Sequence, residues 1–446
     1  MKTNSFNGKG SQNKGRINSS ILITKTINKI ARSCQYLKRN SGKISPKNLI
    51  VGFMIMVSRK RNTYADWAKE IGILEGQTIT RQAINERMNP QTECFLKEFI
   101  EQQLSQKIKR SPSLKLKGIL KNFKSIKIDD STIISLPDEL AETFPGNVSG
   151  GIKKSQAKIH AMYNLTKNNF SFLNVYSFSN NDQSLSQKVL PYLQAGDLCI
   201  RDLGFSTLAS IEKFNQRGIY FIARKSYNNK IYNIDTEKEI DILKEIGKNH
   251  FLDKEVLLGK QKTKARIVVV KLPQEEANQR RRKAKKDRDR RLNHAPKYYK
   301  LLSYGIYISN ISSEKCNVNQ IAELYRLRWR IEIIFKSWKS CFSIEKIIHN
   351  QCKNIIRVNC IIYLMLLYIY LFHVIWWQNL KKKMRLDDKH VQLSILKLSR
   401  FFQQHFLQII YTELNEPIIK QIRSHCTYDI RKDRQNAVDY YLSMAS

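Results

Sequence analysis

The stretch IAELYRLRWRIEIIFKSWKS at residues 321–340 carries Tyr325, Arg328, Glu332 and Lys339 in the spacing Y-x2-R-x3-E-x6-K. On an α-helix turning about 100° per residue, these positions fall at about 0°, −60°, −20° and −40°, so all four share one narrow face. Leu324, Leu327, Ile331 and Ile334 fall toward the opposite side, where they can pack on a core. A carboxylate set among cations on one face can hold a metal ion beside phosphates; a solvated charged face with i,i+4 pairing is the plainer alternative. Tyr325 and Lys339 each stand seven residues from Glu332, about 10 Å along a helix rising about 1.5 Å per residue, too far to share its metal. Arg328, one turn from Glu332, and Lys339 are placed to grip phosphates on either side of a reacting bond. Lys336 is a further cation of the same helix and a candidate DNA contact.

Phosphodiester hydrolysis and strand transfer need two divalent metals about 4 Å apart, held by a few carboxylates on rigid elements. Hard Mg²⁺ prefers oxygen ligands and keeps some of its waters, so two or three acids suffice. Two further acids stand where strands are expected. Asp130 lies in SIKIDDSTIISL (125–136), next to Asp129; consecutive strand residues point to opposite faces, so only one of the pair can face a site. Asp202 closes the short apolar strand 198–202 at its carboxyl end. An Asp at a strand end is more often a turn former, so each is weak alone.

The elements that must position these acids follow from periodicity. Residues 125–136 read as a strand, 158–165 and 170–178 as a hairpin, 184–193 as a helix, 197–205 as a short buried strand with its exit loop, Leu208–Phe214 as a helix and 218–226 as another buried strand. That order, β-β-β-α-β-α-β, is that of an RNase H-like core, in which the first and fourth strands are neighbours. The expected class is α/β: an RNase H-like catalytic core with a β-rich insertion, preceded by an α-helical DNA-binding domain and followed by C-terminal helices. The expected divisions are a basic arm over 1–45, the helical domain over 46–118 and the first part of the core over 119–226. The insertion follows over 227–303, the second part of the core over 304–385 and a C-terminal helical region over 386–446. Within the helical domain, residues 63–73 and 79–89 with the intervening LEGQT resemble a helix-turn-helix, with Thr80 as N-cap and Arg81, Gln82 and Asn85 exposed to read DNA. An ordinary helical hairpin fits the same pattern.

Bulk composition agrees with a nucleic-acid partner. The chain has 446 residues, with 78 Lys+Arg against 38 Asp+Glu and a net charge of +40, and an excess of that size calls for a polyanion. The run RRRKAKKDRDRR (280–291) is either a solvated segment or lies along DNA phosphates. Eight scattered cysteines without a C-x-x-C pair argue against a zinc site or a disulfide framework. The basic first 40 residues lack the apolar core of a secretory signal, so a reducing, cytoplasmic, nucleoid-associated setting fits best. Residues 358–377 run without a formal charge for about the length of a bilayer span, but Asn359 and His373 within them favour a buried core helix over a membrane helix.

The DST and LP of Asp130–Thr132 and Leu136–Pro137, the RDLGF of Arg201–Phe205 and the Y-x2-R-x3-E-x6-K helix together resemble the DDE transposases of the insertion-sequence-four family, over roughly residues 50–380. The resemblance implies a catalytic triad of Asp130, Asp202 and Glu332 binding two Mg²⁺ (or Mn²⁺) ions, and it selects Asp130 over Asp129. It also implies cut-and-paste transposition of double-stranded DNA, from terminal inverted repeats into target DNA, in a homodimeric complex that pairs two transposon ends, with no membrane. Tyr325, Arg328 and Lys339 are then expected to hold the terminal strand and a hairpin intermediate. One departure stands out. Relatives can use a Trp of the insertion to stack on a flipped base, whereas all five tryptophans here lie outside 227–303; Tyr227, Tyr232 and Phe251 are the possible replacements. A non-transposing RNase H-like nuclease and a DNA-binding protein with a dead core are the competing readings, and the presence of all three acids argues against the second.

Overall fold

The structure, a computed structural model, describes residues 24–428 apart from 39–42, 111–115, 117, 226–228, 248–249, 287–294, 350–353, 374–379, 381–392 and 412–414. Most of the basic arm, Tyr227, the end of the charge run and the last residues of the apolar segment therefore lie outside the described residues.

Five N-terminal helices come first: α1 (Thr24–Ser33), α2 (Pro46–Ser58), α3 (Tyr64–Glu75), α4 (Arg81–Arg87) and α5 (Pro90–Arg110). Ser45, Thr63 and Thr80 each cap the helix that follows by accepting a backbone N–H through the side-chain oxygen. Gly76, at φ 68°, ends α3 in the left-handed conformation that glycine adopts without cost and turns the chain toward α4. The expected second helix of this pair is shorter than its apolar pattern suggested, two turns instead of three. Arg81 and Gln82 are exposed on it, but Asn85 is half-buried.

The strands then follow: β1 (Ile126–Leu136), β2 (Pro145–Ser149), β3 (Ile152–Asn164), β4 (Asn169–Ser177), β5 (Leu198–Arg201) and β6 (Tyr220–Arg224). Between β4 and β5 the expected single helix is instead a short α6 (Asp182–Leu185) and a 3₁₀ turn at Leu190–Tyr192, since Pro191 cannot continue a helical hydrogen-bond ladder. Helix α7 (Leu208–Gln216) precedes β6. Strands β4, β3 and β1 pair antiparallel, and β1, β5 and β6 pair parallel, so the sheet runs β4-β3-β1-β5-β6 as an RNase H-like core requires. Strand β2, which the sequence pattern did not suggest, adds along part of β3.

The insertion supplies β7 (Ile231–Asn233), α8 (Ile242–Ile246), β8 (Phe251–Leu258), β9 (Thr263–Lys271), α9 (Gln274–Lys285) and α10 (Pro296–Leu301), and β10 (Tyr304–Ser309) closes it. Its strands are not a separate sheet. Strand β10 pairs antiparallel with β6 on one side and with β9 on the other, so β9, β8 and β7 extend the core sheet.

The remaining helices are α11 (Val318–Arg326), α12 (Trp329–Ser340), α13 (Ile344–His349), α14 (Ile355–Tyr370), α15 (Ile395–Gln404), α16 (Phe406–Tyr411) and α17 (Glu416–His425). The span Ile355–His373 is long and apolar enough to cross a membrane, yet 78% of its apolar window is buried inside the protein. It packs along α5, where Asn359 donates to Glu93 Oε1 (2.9 Å) and the Tyr370 hydroxyl donates to the Gln103 carbonyl (2.9 Å). His373 is fully buried against Phe170 and Phe372, and desolvation lowers its pKa to about 3, so it sits neutral in the core.

Alternation along the central strands divides the core between two faces. Ile128, Ile134, Leu198, Ile200 and Ile222 pack on the side that holds the N-terminal helices, α11, α12 and α14. Met162, Cys199, Phe221 and Ala223 pack on the other, against Phe214 of α7. Register pairs Ile128 with Ile200 and Asp129 with Arg201. Asp129 is fully buried on the second face, where its Oδ2 accepts from Arg201 Nε (2.8 Å) and Nη2 (2.7 Å) and its Oδ1 from His160 Nε2 (2.6 Å). Burial alone would raise the Asp129 pKa, but Arg201 and His160 hold it below the usual carboxylate range. Arg201 lies over the rings of Phe214 and Phe205, at 5.1 and 5.7 Å. Asp129 and Arg201 thus form a buried ion pair, with each side chain 0–1% exposed. Replacing Asp129 by Ala is therefore expected to destabilise the fold by about 3–5 kcal/mol, with the double change Asp129→Leu, Arg201→Met recovering much of the loss, measured by urea unfolding.

Candidate active site

The parity that buries Asp129 on one face turns Asp130 to the other. Asp130 follows Ile128 by two residues and Asp202 follows Ile200 by two, so both carboxylates emerge on the α11–α12 side, each just past the parallel-paired segment of β1 and β5, Asp130 in mid-strand and Asp202 at the end of β5. Glu332 comes from α12, which packs over β1. The three acids thus come from three segments remote in sequence. One side chain joins them: Arg328 Nη1 donates to Asp130 Oδ2 (2.8 Å), Nη2 donates to Glu332 Oε1, and Nε lies 3.9 Å from Asp202 Oδ1.

Arg328 reaches this position because residues 321–340 are not one helix. At the α11–α12 junction the hydrogen bonds tighten to the i→i+3 pattern: Leu327 N–H to Leu324 O (3.1 Å), Arg328 to Tyr325 (3.0 Å), Arg330 to Leu327 (3.0 Å) and Ile331 to Arg328 (3.1 Å). The backbone stays in the right-handed helical region, so Tyr325 and Glu332 remain on the sheet-facing side. Leu324, Leu327, Ile331 and Ile334 are buried in the core, as their spacing predicted.

The other residues of the motif divide between inside and outside. Tyr325 is buried; its hydroxyl donates to Asp202 Oδ1 (3.3 Å), its ring packs on Tyr307 at 5.0 Å and Arg224 lies over it at 5.5 Å. It braces an acid of the site from within instead of presenting a surface to DNA. Lys336 and Lys339 are exposed on α12, and Lys339 Nζ stands 4.0 Å from Glu345 Oε1 of α13. That same Glu345 oxygen accepts the Ser135 N–H of β1 (3.1 Å), tying α13 to the strand that carries Asp130.

Periodicity did not reveal the partners of Ser131, the residue after Asp130. Asp182 Oδ1, at the start of α6, accepts from Lys158 Nζ (2.8 Å) and Ser131 Oγ (3.2 Å). A Cβ on Gly204 would stand 2.7 Å from Asp182 Oδ2, so the glycine of RDLGF makes room for that carboxylate. The Asn-Asp pair at 181–182 was a visible turn-and-cap signal, but nothing local linked it to β1. Of the suggested aromatic residues of the insertion, Phe251 is 51% exposed, while Tyr232 is covered by Lys262 Nζ at 3.7 Å from its ring centre. Trp329, at the first position of α12, is 60% exposed and adjoins Arg328 in sequence.

Two aspartates and a glutamate gathered around one guanidinium form a hard-oxygen donor set suited to Mg²⁺ or Mn²⁺. A cation is already drawn into it in the form of Arg328, which is the direct sign that the donor set needs positive charge. Cys34, Cys94 and Glu98, the metal-capable group that also occurs among the described residues, offers two thiols and is chemically unlike it.

The family model described as "Transposase DDE domain" matches residues 121–371, more than half of the chain, spanning both aspartates and the glutamate. The chain belongs to the DDE transposase family. This DDE transposase is similar to the transposase for insertion sequence element IS231E of Bacillus thuringiensis subsp. finitimus, 29% identical over 423 residues, covering 89% of this chain and 85% of that one. It is also similar to the transposase for insertion sequence element IS1151 of Clostridium perfringens, 28% identical over 413 residues, covering 86% and 84%. A solved piggyBac transposase synaptic complex with hairpin DNA aligns with a TM-score of 0.39 and 9% identity over 94% of this chain and 85% of that one, too slight a likeness to argue from. The family implies divalent metal ions in catalysis, and the donor set described above fits that chemistry.

Burial pushes the Asp130 carboxyl up to about 7, against the downward pull of Arg328 and of the Ser131 N–H, with Asp202 and Asp129 adding to the rise. The folded transposase therefore binds this proton more tightly than the unfolded chain does. Through the window from about pH 4 to about pH 7 the native state holds a proton that the unfolded state has lost, so this group's contribution to stability falls as the pH rises. Asp130→Asn is expected to remove that slope and to gain stability over the wild type at pH 7 relative to pH 4, measured by urea unfolding of both proteins across the range.

Proposed function

We propose that this transposase mobilises an insertion sequence by cut-and-paste. It cleaves double-stranded DNA at terminal inverted repeats and joins the freed 3′ ends to target DNA through a site made of Asp130, Asp202 and Glu332. The single observation that carries this reading is the convergence of those three carboxylates, from β1, the end of β5 and α12, around one guanidinium. Two divalent ions, Mg²⁺ or Mn²⁺, would be held there and would supply an activated water or 3′-hydroxyl and charge stabilisation of the phosphorane-like transition state.

The chain's own residues do the remaining work. Asp130 and Asp202 share one edge of the site and Glu332 closes the other. The Tyr325 hydroxyl donates to Asp202 Oδ1 (3.3 Å), which fixes one oxygen of that carboxylate beside Arg328. Arg328, Lys336 and Lys339 offer cations along the site-facing and outer sides of α12, where a DNA strand entering the site would bring its phosphates. Arg81, Gln82 and Asn85 of α4 are assigned to recognition of the DNA end. The half-burial of Asn85 leaves Arg81 and Gln82 as the better placed of the three. Helix α9 presents Arg282, Lys283 and Lys285 outward from the insertion, a second basic surface for the flanking duplex. A homodimer that pairs two ends, in a cytoplasmic, nucleoid-associated setting, completes the reading, and the net charge of +40 supports the DNA partner.

The test uses supercoiled plasmid carrying the element's inverted repeats, with Mg²⁺ or Mn²⁺. Asp130→Asn, Asp202→Asn and Glu332→Gln are each expected to abolish nicking while leaving end binding in gel shifts intact, because each removes a metal ligand and no phosphate contact. Full cleavage by any one of the three would sink the assignment of that residue. For the end-binding surface, Lys339→Ala is expected to weaken binding and to lower the slope of log affinity against log salt by about 1; an unchanged slope would count against a phosphate contact.

A further inference from the structure

Arg328 is engaged in a way that its expected role as a phosphate contact does not require. Its side chain is 12% exposed, and it touches Asp130 Oδ2 (2.8 Å) and Glu332 Oε1 while its Nε stands 3.9 Å from Asp202 Oδ1. That Nε is buried and lacks a hydrogen-bond partner, so the fork is drawn to the acids without being fully satisfied by them. One positive charge thus faces three carboxylates. A guanidinium bonded to Asp130 and Glu332 cannot at the same time lie along a DNA phosphate, and it fills space that ligated ions would need. The side chain springs from the tightened turn between α11 and α12, a backbone join at which a side chain can be redirected without unwinding either helix.

We propose that Arg328 is a built-in stand-in cation. In the metal-free protein it occupies the carboxylate cluster and neutralises part of its charge, and it leaves the cluster for a DNA phosphate when divalent ions are bound. This rests on the reading of Asp130, Asp202 and Glu332 as the metal-binding acids. Two consequences follow. Without DNA, Arg328 competes with metal, so metal binds weakly. With DNA, a phosphate gives the displaced guanidinium a new anionic partner, so metal and DNA each strengthen the binding of the other, by the reciprocity that any such coupling obeys. The arrangement would hold the nuclease site closed to free metal until a DNA end is present.

The test is a Mn²⁺ titration of the full-length protein without DNA, followed by electron paramagnetic resonance, with thermal unfolding of each variant to show that it is folded. Arg328→Gln, which keeps hydrogen-bonding capacity but no charge, is expected to bind Mn²⁺ about tenfold or more tightly than the wild type. Arg328→Lys, which keeps the charge, is expected to stay near the wild type. A residue that only gripped phosphate would leave DNA-free affinity unchanged, and one that only propped up the acids would weaken it on replacement; either result with folded Arg328→Gln protein overturns the proposal. Asp130→Asn and Asp202→Asn separate the two levels. If they lose Mn²⁺ binding while Arg328→Gln is unchanged, the acids stand as the metal site and the stand-in role alone fails. If they bind Mn²⁺ as the wild type does, the carboxylate reading fails and the stand-in role falls with it.

Discussion

Parallel pairing of β1 with β5 is the constraint on which the site depends, and it is fastened at both ends by buried charge. At the entry, Asp197 accepts from Ser125 Oγ (2.7 Å) and Lys127 Nζ (2.6 Å), joining the start of one strand to the start of the other. At the exit, Asp129 and Arg201 face each other in register and bond directly. Each catalytic candidate is the next residue along: Asp130 after Asp129, Asp202 after Arg201. A slip of one residue in either strand would send one carboxylate to the wrong face, because strand side chains alternate. The buried ion pair penalises that slip by leaving a charge unpaired in a dry interior. Asp129 therefore serves the site without entering it.

The third acid is brought in by a different device. Helix α12 is held against the sheet by Ile331, Ile334 and Trp338, all fully buried, and α13 is hydrogen-bonded to β1 through Glu345. Apolar burial sets how closely α12 approaches, while the 3₁₀ turn before it sets how its first residues are rotated. The consequence is that Glu332 and Arg328 of this segment meet Asp130 of β1.

Extension of the core sheet by the insertion also bears on function. Because β9 and β10 continue the sheet beyond β6, the basic helix α9 is carried on a stiff platform, with Arg280 and Arg281 anchoring it to the backbone of Tyr304 and to the Ser303 hydroxyl. Arg282, Lys283 and Lys285 then face outward. Part of the charge run is thus structural and part is available to a polyanion, a division that charge alone does not express.

Local regularities carried a large part of this protein in the sequence. Partial alternation in residues 126–136 and the short apolar run 198–200 mark strands, the apolar residues 324, 327, 331 and 334 mark the buried side of a helix, and Thr80 marks a helix start; each depends only on neighbours within a few positions. The motif residues Tyr325, Arg328, Glu332 and Lys339 were legible for the same reason. What tertiary packing decided is which side of each element is covered. Alternation states that Asp129 and Asp130 face opposite ways, but only the helices stacked over Ile128 and Ile200 make the Asp130 side the site and the Arg201 side the core. The same non-local packing buries Tyr325 against Tyr307, half-buries Asn85 and merges the insertion with the main sheet. It also draws Arg328 into the carboxylates, since three acids that are far apart in sequence create a field that no segment of the chain contains by itself.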